Sequence, residues 1–367
     1  MSDEVGDLRA LLERGVAAGL APAMVAEWGR VGEKPLRKVA GASVLRPVVT
    51  SASEGTWFDL ASLTKPLVTT TLSLLALRST ELRRTTRVGE VLHEVRGTTV
   101  GHLQLRHLLT HASGLPAWLP LYCVAEGRSE DLLRRLGEVV LEADPGARVI
   151  YSCVGFVILG IILARVSGST LDGLFQREVV DALDLGGELG FCPDPGIRPL
   201  AGGAKTAAVE RRLVRELGLD PRWIPPMASA LPDDGNARFL GGVAGNAGLF
   251  GTARGVWSLA AEYLPGGGRL LTSEEAEMAT TSATGGLEQE RGFGWQLAST
   301  AGCSAGAGLS QRSFGHTGFT GVSVWADPSS RGVFVLLTNR NHPEQREIDL
   351  QPLRRRFHAL ASRSLAG

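Results

Sequence analysis

A hydroxyl and an amine stand three residues apart at Ser62-Leu63-Thr64-Lys65. Residues at that spacing share a face of a helix, so the two side chains would lie together. Pro66 marks a helix start, because proline is tolerated in a first turn, where backbone N–H groups lack partners, and is costly further in. The pattern predicts a helix beginning near Ser62 and continuing through Leu67, Leu72, Leu74, Leu75 and Leu77, apolar enough to be buried on most sides. A lysine entering such a core admits two accounts. In one, a desolvated amine loses its proton more readily and accepts the serine proton as that serine attacks a carbonyl. In the other, the serine caps the helix and the lysine extends past its neighbours to water.

Two more stretches carry candidate chemistry. Pro145-Gly146 leads into Val149-Ile150-Tyr151-Ser152-Cys153, followed by an apolar helical run. A tyrosine at the mouth of such a helix can bond a serine hydroxyl and relay its proton when nearby cations favour the phenolate. It can equally be a half-buried core tyrosine. Further on, Phe314-Gly315-His316-Thr317-Gly318-Phe319 precedes an apolar strand. The glycines let the backbone approach a ligand closely, and a strand edge there offers an N–H to an oxyanion. The same residues also read as a plain turn into a strand.

The elements that must position these residues follow from periodicity. Leu8, Leu11, Leu12, Val16 and Leu20 predict an amphipathic helix over residues 4–20. Ala23–Trp28 and Leu36–Ala42 predict a hairpin with a loose loop. Helix-like segments then dominate at 103–110, 129–142, 154–167, 171–184, 205–217 and 254–263. Val322–Ala326, the turn Asp327-Pro328-Ser329-Ser330 and Gly332–Thr338 predict an antiparallel hairpin, and Leu353, Phe357 and Leu360 a final helix. Strands at both ends around a helical middle imply an α/β fold: one antiparallel sheet flanked by N- and C-terminal helices, with a mainly helical lobe inserted. The expected limits are 1–64 with 290–367 for the α/β lobe and 65–289 for the inserted one.

Composition narrows the partners. The 367 residues are 44% hydrophobic and 21% charged, with 38 basic and 38 acidic side chains, so no global field draws nucleic acid or acidic membranes. A small molecule is the expected partner. The four cysteines, Cys123, Cys153, Cys192 and Cys303, form no C-x-x-C pair, and no histidine cluster implies a metal or other cofactor. The acidic opening Met1–Val5 lacks the pattern of an export signal, and the apolar run 154–164 is short of the about 20 residues a membrane span needs, so a cytoplasmic protein is expected.

In combination, Ser-x-x-Lys at 62–65, Tyr-Ser-x at 151–153 and His-Thr-Gly at 316–318 resemble the serine β-lactamase and penicillin-binding protein superfamily. Leu108-Leu109-Thr110-His111-Ala112-Ser113-Gly114-Leu115-Pro116 and the glycine-rich stretch Gly241–Phe250 are similar to its class C branch, which includes family VIII carboxylesterases. The resemblance implies a β-lactamase/transpeptidase-like fold with the site between its lobes. It also implies Ser62 as nucleophile, Lys65 and Tyr151 as handlers of its proton, and the N–H groups of Ser62 and Phe319 as an oxyanion hole. His316, Thr317, Gly318 and Cys153 would meet the substrate, while His111 would order nearby structure.

Cys153 stands where lactamases usually carry Asn, and His316 where they carry Lys. A thiol is a weak hydrogen-bonding group and an unperturbed imidazole is largely neutral at pH 7. The expected activity is therefore hydrolysis of a carboxylic ester or amide with a less anionic acyl group. β-Lactam opening, D,D-peptidase or muramyl-peptide amidase activity, and a catalytically decayed binding protein stand as alternatives. Gly302-Cys303-Ser304-Ala305-Gly306 matches the G-x-S-x-G nucleophile elbow, with Asp327 and His342 following in order. That elbow needs a buried strand before it and a helix after it, and 297–309 has neither pattern, so a loop is expected there.

Overall fold

The computed structural model describes residues 2–366, with side chains from Glu4 onward. Helix α1, Ser2–Ala17, leads into β1, Ala23–Arg30, and β2, Leu36–Val44. With β3, Thr50–Ser51, these open a seven-stranded sheet whose other members are β7, Gln296–Leu297; β8, Phe314–Thr317; β9, Ser323–Asp327; and β10, Gly332–Thr338. The order is β3-β2-β1-β10-β9-β8-β7, and every neighbouring pair is antiparallel. The first and last thirds of the chain therefore meet at β1–β10, where Trp28 lies opposite Phe334.

The apolar strand β10 is continuous because both faces of the sheet are covered. Successive strand side chains alternate faces. Phe334 and Leu336 join Leu8, Leu12, Trp28, Phe357 and Leu360 in a core under α1 and the C-terminal helix Gln351–Ala366. Val333, Val335 and Leu337 belong to the larger core on the other side, which includes Val256 and Leu259 of the helix Ala253–Ala261. At about 25 cal/mol per Å² of buried apolar surface, such two-sided burial makes this strand the anchor of the sheet.

A three-stranded sheet that hydropathy alone does not announce lies behind the Ser62 turn. It consists of β4, Phe58–Asp59; β5, Leu189–Phe191; and β6, Leu249–Gly251, in the order β4-β6-β5. Its strands are two or three residues long, too short for any period to register.

The helix Cys153–Ser167 opens on Ser152, whose Oγ accepts from Gly155 N–H, and closes on Gly168 at φ 64°. It is buried on nearly every side, as its unbroken apolar run requires. Gly160 meets Gly245 of the glycine-rich stretch so closely that a Cβ on Gly160 would fall 2.8 Å from Gly245 N. This contact packs the glycine-rich stretch against the middle of that helix.

Other expected helices are shorter than drawn. The segment 129–142 holds helix only through Leu136, and 171–184 breaks into Leu171–Phe175 and a wider π turn, Gln176–Val180. Among the described residues no single helix is long and apolar enough to cross a membrane.

Candidate active site

Ser62 does not open an α-helix. It sits in a one-turn 3-10 helix, Ala61–Leu63, followed by a π-helical turn, Lys65–Thr70, before α2, Thr71–Ser79, begins. Ala61 takes the left-handed φ of 46°, unfavourable for a residue with a Cβ. That bend keeps the serine partly exposed, while Lys65 three residues on is fully buried. The expectation of a regular helix from Ser62 is corrected to this sequence of turns. The wider π turn is held from outside: Thr69 Oγ1 donates to Gly245 O over 2.6 Å, and Leu249 N–H donates to Thr64 Oγ1.

The wrapping also fixes the amine. Lys65 Nζ donates to Ser62 Oγ over 3.0 Å and to Asn246 O over 2.9 Å. Burial alone would depress the amine; the charges that Cys153 and Tyr151 carry when ionised, with Asp234 behind them, outweigh burial and push it up to about 12. That upward push requires the neighbouring acids to be ionised, and burial raises both Cys153 and Tyr151 themselves.

Tyr151 stands beside this pair. Lys65 Nζ lies 5.1 Å and the Arg291 guanidinium carbon 5.2 Å from its ring centroid. Burial raises its pKa, and Lys65 together with hydrogen bonding to Ser62 and Lys65 pulls it back. His111, at φ 58°, stacks 4.5 Å from the Tyr151 ring on one side and 4.8 Å from Phe156 on the other. Its Nδ1 accepts from Ser152 N–H over 2.9 Å, and burial keeps the ring neutral by holding its pKa well below the ordinary range. His111 therefore fixes the backbone on which Tyr151 is carried.

The third stretch arrives on β8. His316 pairs with Val324 of β9, and Gly318 N–H donates to Val322 O in the turn that follows. His316 Nδ1 bonds Thr317 O at 2.8 Å, so its Nε2 is the free acceptor. Burial, then Arg291 and Lys65, keep this ring neutral too. Gly318 is a close-approach glycine: a Cβ there would meet Val322 Cγ2 at 2.6 Å and Leu60 O at 3.0 Å. The absence of that Cβ lets the β8–β9 turn close on the Ser62 turn. Among the described residues, neither Ser62 N–H nor Phe319 N–H donates to a protein acceptor.

These residues share a cleft of about 610 Å³. Ser62, Tyr151, Cys153, His316, Thr317, Gly318 and Phe319 all line it, and Lys65 lies directly beneath Ser62. Every residue singled out for the site is therefore brought together. Trp118 adds an aromatic wall to the cleft, while Tyr122 and Trp223 pack into a satellite core with Val214.

Three contributors act in ways that motif reading does not assign. Asn246 reaches Lys65 through its carbonyl, and a backbone group is invisible to motif reading. Asp59 bonds the turn that carries Ser62. Arg291 is 5% exposed in the cleft wall; its Nε and Nη2 donate to Gln289, and among the described residues it forms no ion pair and its Nη1 has no partner. Burial without a carboxylate lowers its pKa to about 10, which still leaves it charged. The expectation of a less anionic substrate, drawn from a neutral His316, thus omits the cation that stands beside it.

Ser304 is not a second nucleophile. Its Oγ accepts from Trp325 Nε1 in the core, Asp327 accepts from Ser310 and Ser329, and His342 accepts from Leu45 N–H.

A sheet packed by terminal helices, with a serine and a buried lysine in a cleft beside it, defines a serine hydrolase. The chain belongs to the β-lactamase family, whose model matches residues 8–359. It is 28% identical to a putative D-alanyl-D-alanine carboxypeptidase of Escherichia coli strain K12, over 82% of this chain and 73% of that one. It is 26% identical to an N-acetylmuramyl-L-alanine amidase of Bacillus subtilis strain 168, over 90% and 80% respectively. Among solved structures it superposes on EstCE1, described as a hydrolase with promiscuous acyltransferase activity. That likeness has a TM-score of 0.74 at 21% identity, covering 98% of this chain and 99% of the other, and it concerns the fold.

Proposed function

We propose that this hydrolase cleaves an amide or ester whose substrate carries a carboxylate next to the scissile bond, through an acyl-enzyme on Ser62. The carrying observation is Arg291: a buried, charged guanidinium with an unpartnered Nη1, in the wall of the cleft that holds Ser62. A buried cation without a counter-ion is costly unless a ligand supplies one. Guanidinium is also suited to carboxylate, which it can bind through two parallel bonds. Relatives named as a carboxypeptidase and a muramyl-L-alanine amidase support peptide amides over simple esters.

The chemistry follows from the proton inventory. Ser62 Oγ attacks the carbonyl carbon as its proton passes to Tyr151, whose phenolate is favoured by the two cations against its ring. The Lys65 ammonium holds the serine oxygen in place and balances the charge. Tyr151 then protonates the leaving nitrogen or oxygen, and water releases the acid by the reverse path. The free N–H groups of Ser62 and Phe319 receive the carbonyl oxygen as it becomes negative. His316, neutral, offers Nε2 as an acceptor and not a charge.

The test is a matched pair of substrates: an N-acylated D-alanyl-D-alanine with a free C-terminal carboxylate and its carboxamide. Preference for the free acid by at least about tenfold in kcat/KM supports the proposal. Equal turnover, or preference for the carboxamide, contradicts it.

A further inference from the structure

Asp59 lies three residues before Ser62 and touches each segment around the serine. Its Oδ1 accepts from Ala61 N–H over 2.8 Å, and its Oδ2 accepts from Asp233 N–H over 2.8 Å. Its backbone carbonyl accepts from Thr320 Oγ1 over 2.7 Å, one residue beyond Phe319. Thr320 is itself tied down, since its carbonyl accepts from Thr338 Oγ1 of β10 and from Arg340 N–H. Asp233 continues the tie on the other side: its carboxylate accepts from Ala204 N–H and Asn341 Nδ2.

We infer that Asp59 is a positioning residue for Ser62, its carboxylate clamping the nucleophile turn to the Asp233 segment and its carbonyl clamping that turn to the Phe319–Thr320 turn. The inference rests on the Ser62 reading above. Its physical basis is the backbone at Ala61. A left-handed φ on a residue with a Cβ persists only where the surroundings over-determine it. Asp59 supplies that restraint by capturing the N–H of the very residue that is bent. Thr320 then joins the two backbone segments whose N–H groups, at Ser62 and Phe319, lack protein acceptors. Loss of the carboxylate frees Ala61 to relax toward ordinary φ and moves Ser62 relative to Phe319.

The clamp is also sensitive to protons. Each carboxylate oxygen holds one N–H, and a protonated carboxyl oxygen accepts poorly, so one of the two bonds is lost on protonation. Burial, and then the negative charge of Asp233, raise Asp59 to about 7, with Asp234 adding to the rise and the Asp233 and Ala61 N–H groups opposing it. Asp233 is raised by its own burial and lowered by Asn341, Ala204, Arg238 and His342. The clamped, ionised form therefore grows in as pH passes through about 7.

p-Nitrophenyl acetate separates this inference from the substrate proposal, because it carries no carboxylate for Arg291. Steady-state turnover and burst amplitude are measured from pH 5.5 to 9 on wild type, Asp59→Asn, Thr320→Val and Ser62→Ala. Asp59→Asn is expected to lose about 10–100-fold in kcat, the scale of a small misplacement of a reacting group, with KM within about threefold. The limb near pH 7 should vanish with it, leaving the rise at higher pH that belongs to Tyr151. Thr320→Val, which keeps the carboxylate, should lose kcat severalfold and retain the limb; it carries the test should Asp59→Asn not fold. Wild-type kcat in both variants overturns the inference. So does a folded Asp59→Asn that is slower but keeps the limb, since that marks bulk structural damage. Ser62→Ala turning over as well as wild type would sink the Ser62 reading itself.

Discussion

Lys65 Nζ and Ser62 Oγ are 3.0 Å apart, and the same amine is held from behind by the Asn246 carbonyl at 2.9 Å. An amine held at two points is kept against the serine, and its positive charge, when present, lowers both Tyr151 and Cys153. Lys65→Ala is expected to slow acylation by about 10²–10⁴-fold, the range for loss of acid–base assistance. Burst kinetics with an activated ester measure this, and a loss under tenfold would remove Lys65 from the proton pathway.

On the proposed mechanism, Tyr151 gives the rate its alkaline dependence. Its burial raises its pKa, so the phenolate that accepts the Ser62 proton is a minor form at neutral pH and grows as pH rises. kcat/KM is expected to climb through the alkaline range in wild type and to be flat there, and far lower, in Tyr151→Phe. A climb that survives the substitution would assign the base elsewhere.

Arg291→Gln removes the unpaired cation from the cleft wall. Bonds to charged groups contribute about 1.5–3 kcal/mol, so kcat/KM on a carboxylate-bearing substrate should fall about 10–100-fold. p-Nitrophenyl acetate turnover should fall by a clearly smaller factor, the part that Arg291 contributes through the Tyr151 ring it faces. Equal losses on both substrates would show that Arg291 serves the structure around Tyr151 and not the substrate.

Gly318→Ala places a methyl 2.6 Å from Val322 Cγ2 and 3.0 Å from Leu60 O. The β8–β9 turn must then back away from the Ser62 turn, at a cost of about 1–3 kcal/mol in stability. Losing one oxyanion donor typically costs about 10²–10³ in rate, and a comparable fall in kcat is expected. Thermal melts and turnover on the same sample check the pair of effects, and full activity would exclude Phe319 N–H from the site.

His358 gives a stability signature independent of catalysis. Its ring is buried under the sheet and bonded to Ser304 O, and burial lowers its pKa from 6.5 to about 4. Above pH 6.5 it is neutral folded or unfolded and adds no pH dependence. Between 6.5 and 4 the unfolded chain binds a proton that folded His358 refuses, so its contribution is lost as pH falls, levelling off below about 4. The Tm advantage of wild type over His358→Gln should shrink from pH 7 to pH 4.5. An advantage that grows toward acid would reverse the assignment.

Much of this was legible in the sequence, for physical reasons that differ by element. Gly332–Thr338 and its turn read correctly because burial on both faces leaves an unbroken apolar run with a strong turn at one end. The expected helix at 154–167 matches Cys153–Ser167 because its apolar run is long and unbroken. Local spacing and the family resemblance single out Ser62, Lys65, Tyr151 and His316, and the fold gathers them at one cleft. Asn246 O, Asp59 and Arg291 are not singled out, since they act through backbone or tertiary contacts that no window spans. The 3-10 and π turns around Ser62 escaped for the same reason: Thr69 and Thr64 are held by Gly245 and Leu249, about 180 positions away.

The most direct test of the central claim is covalent labelling with a fluorophosphonate, read by intact mass and peptide mapping on wild type, Ser62→Ala and Ser304→Ala. A single adduct on Ser62 is expected in wild type, undiminished in Ser304→Ala and absent from Ser62→Ala. An adduct that persists in Ser62→Ala, or maps to Ser304, would contradict Ser62 as the nucleophile.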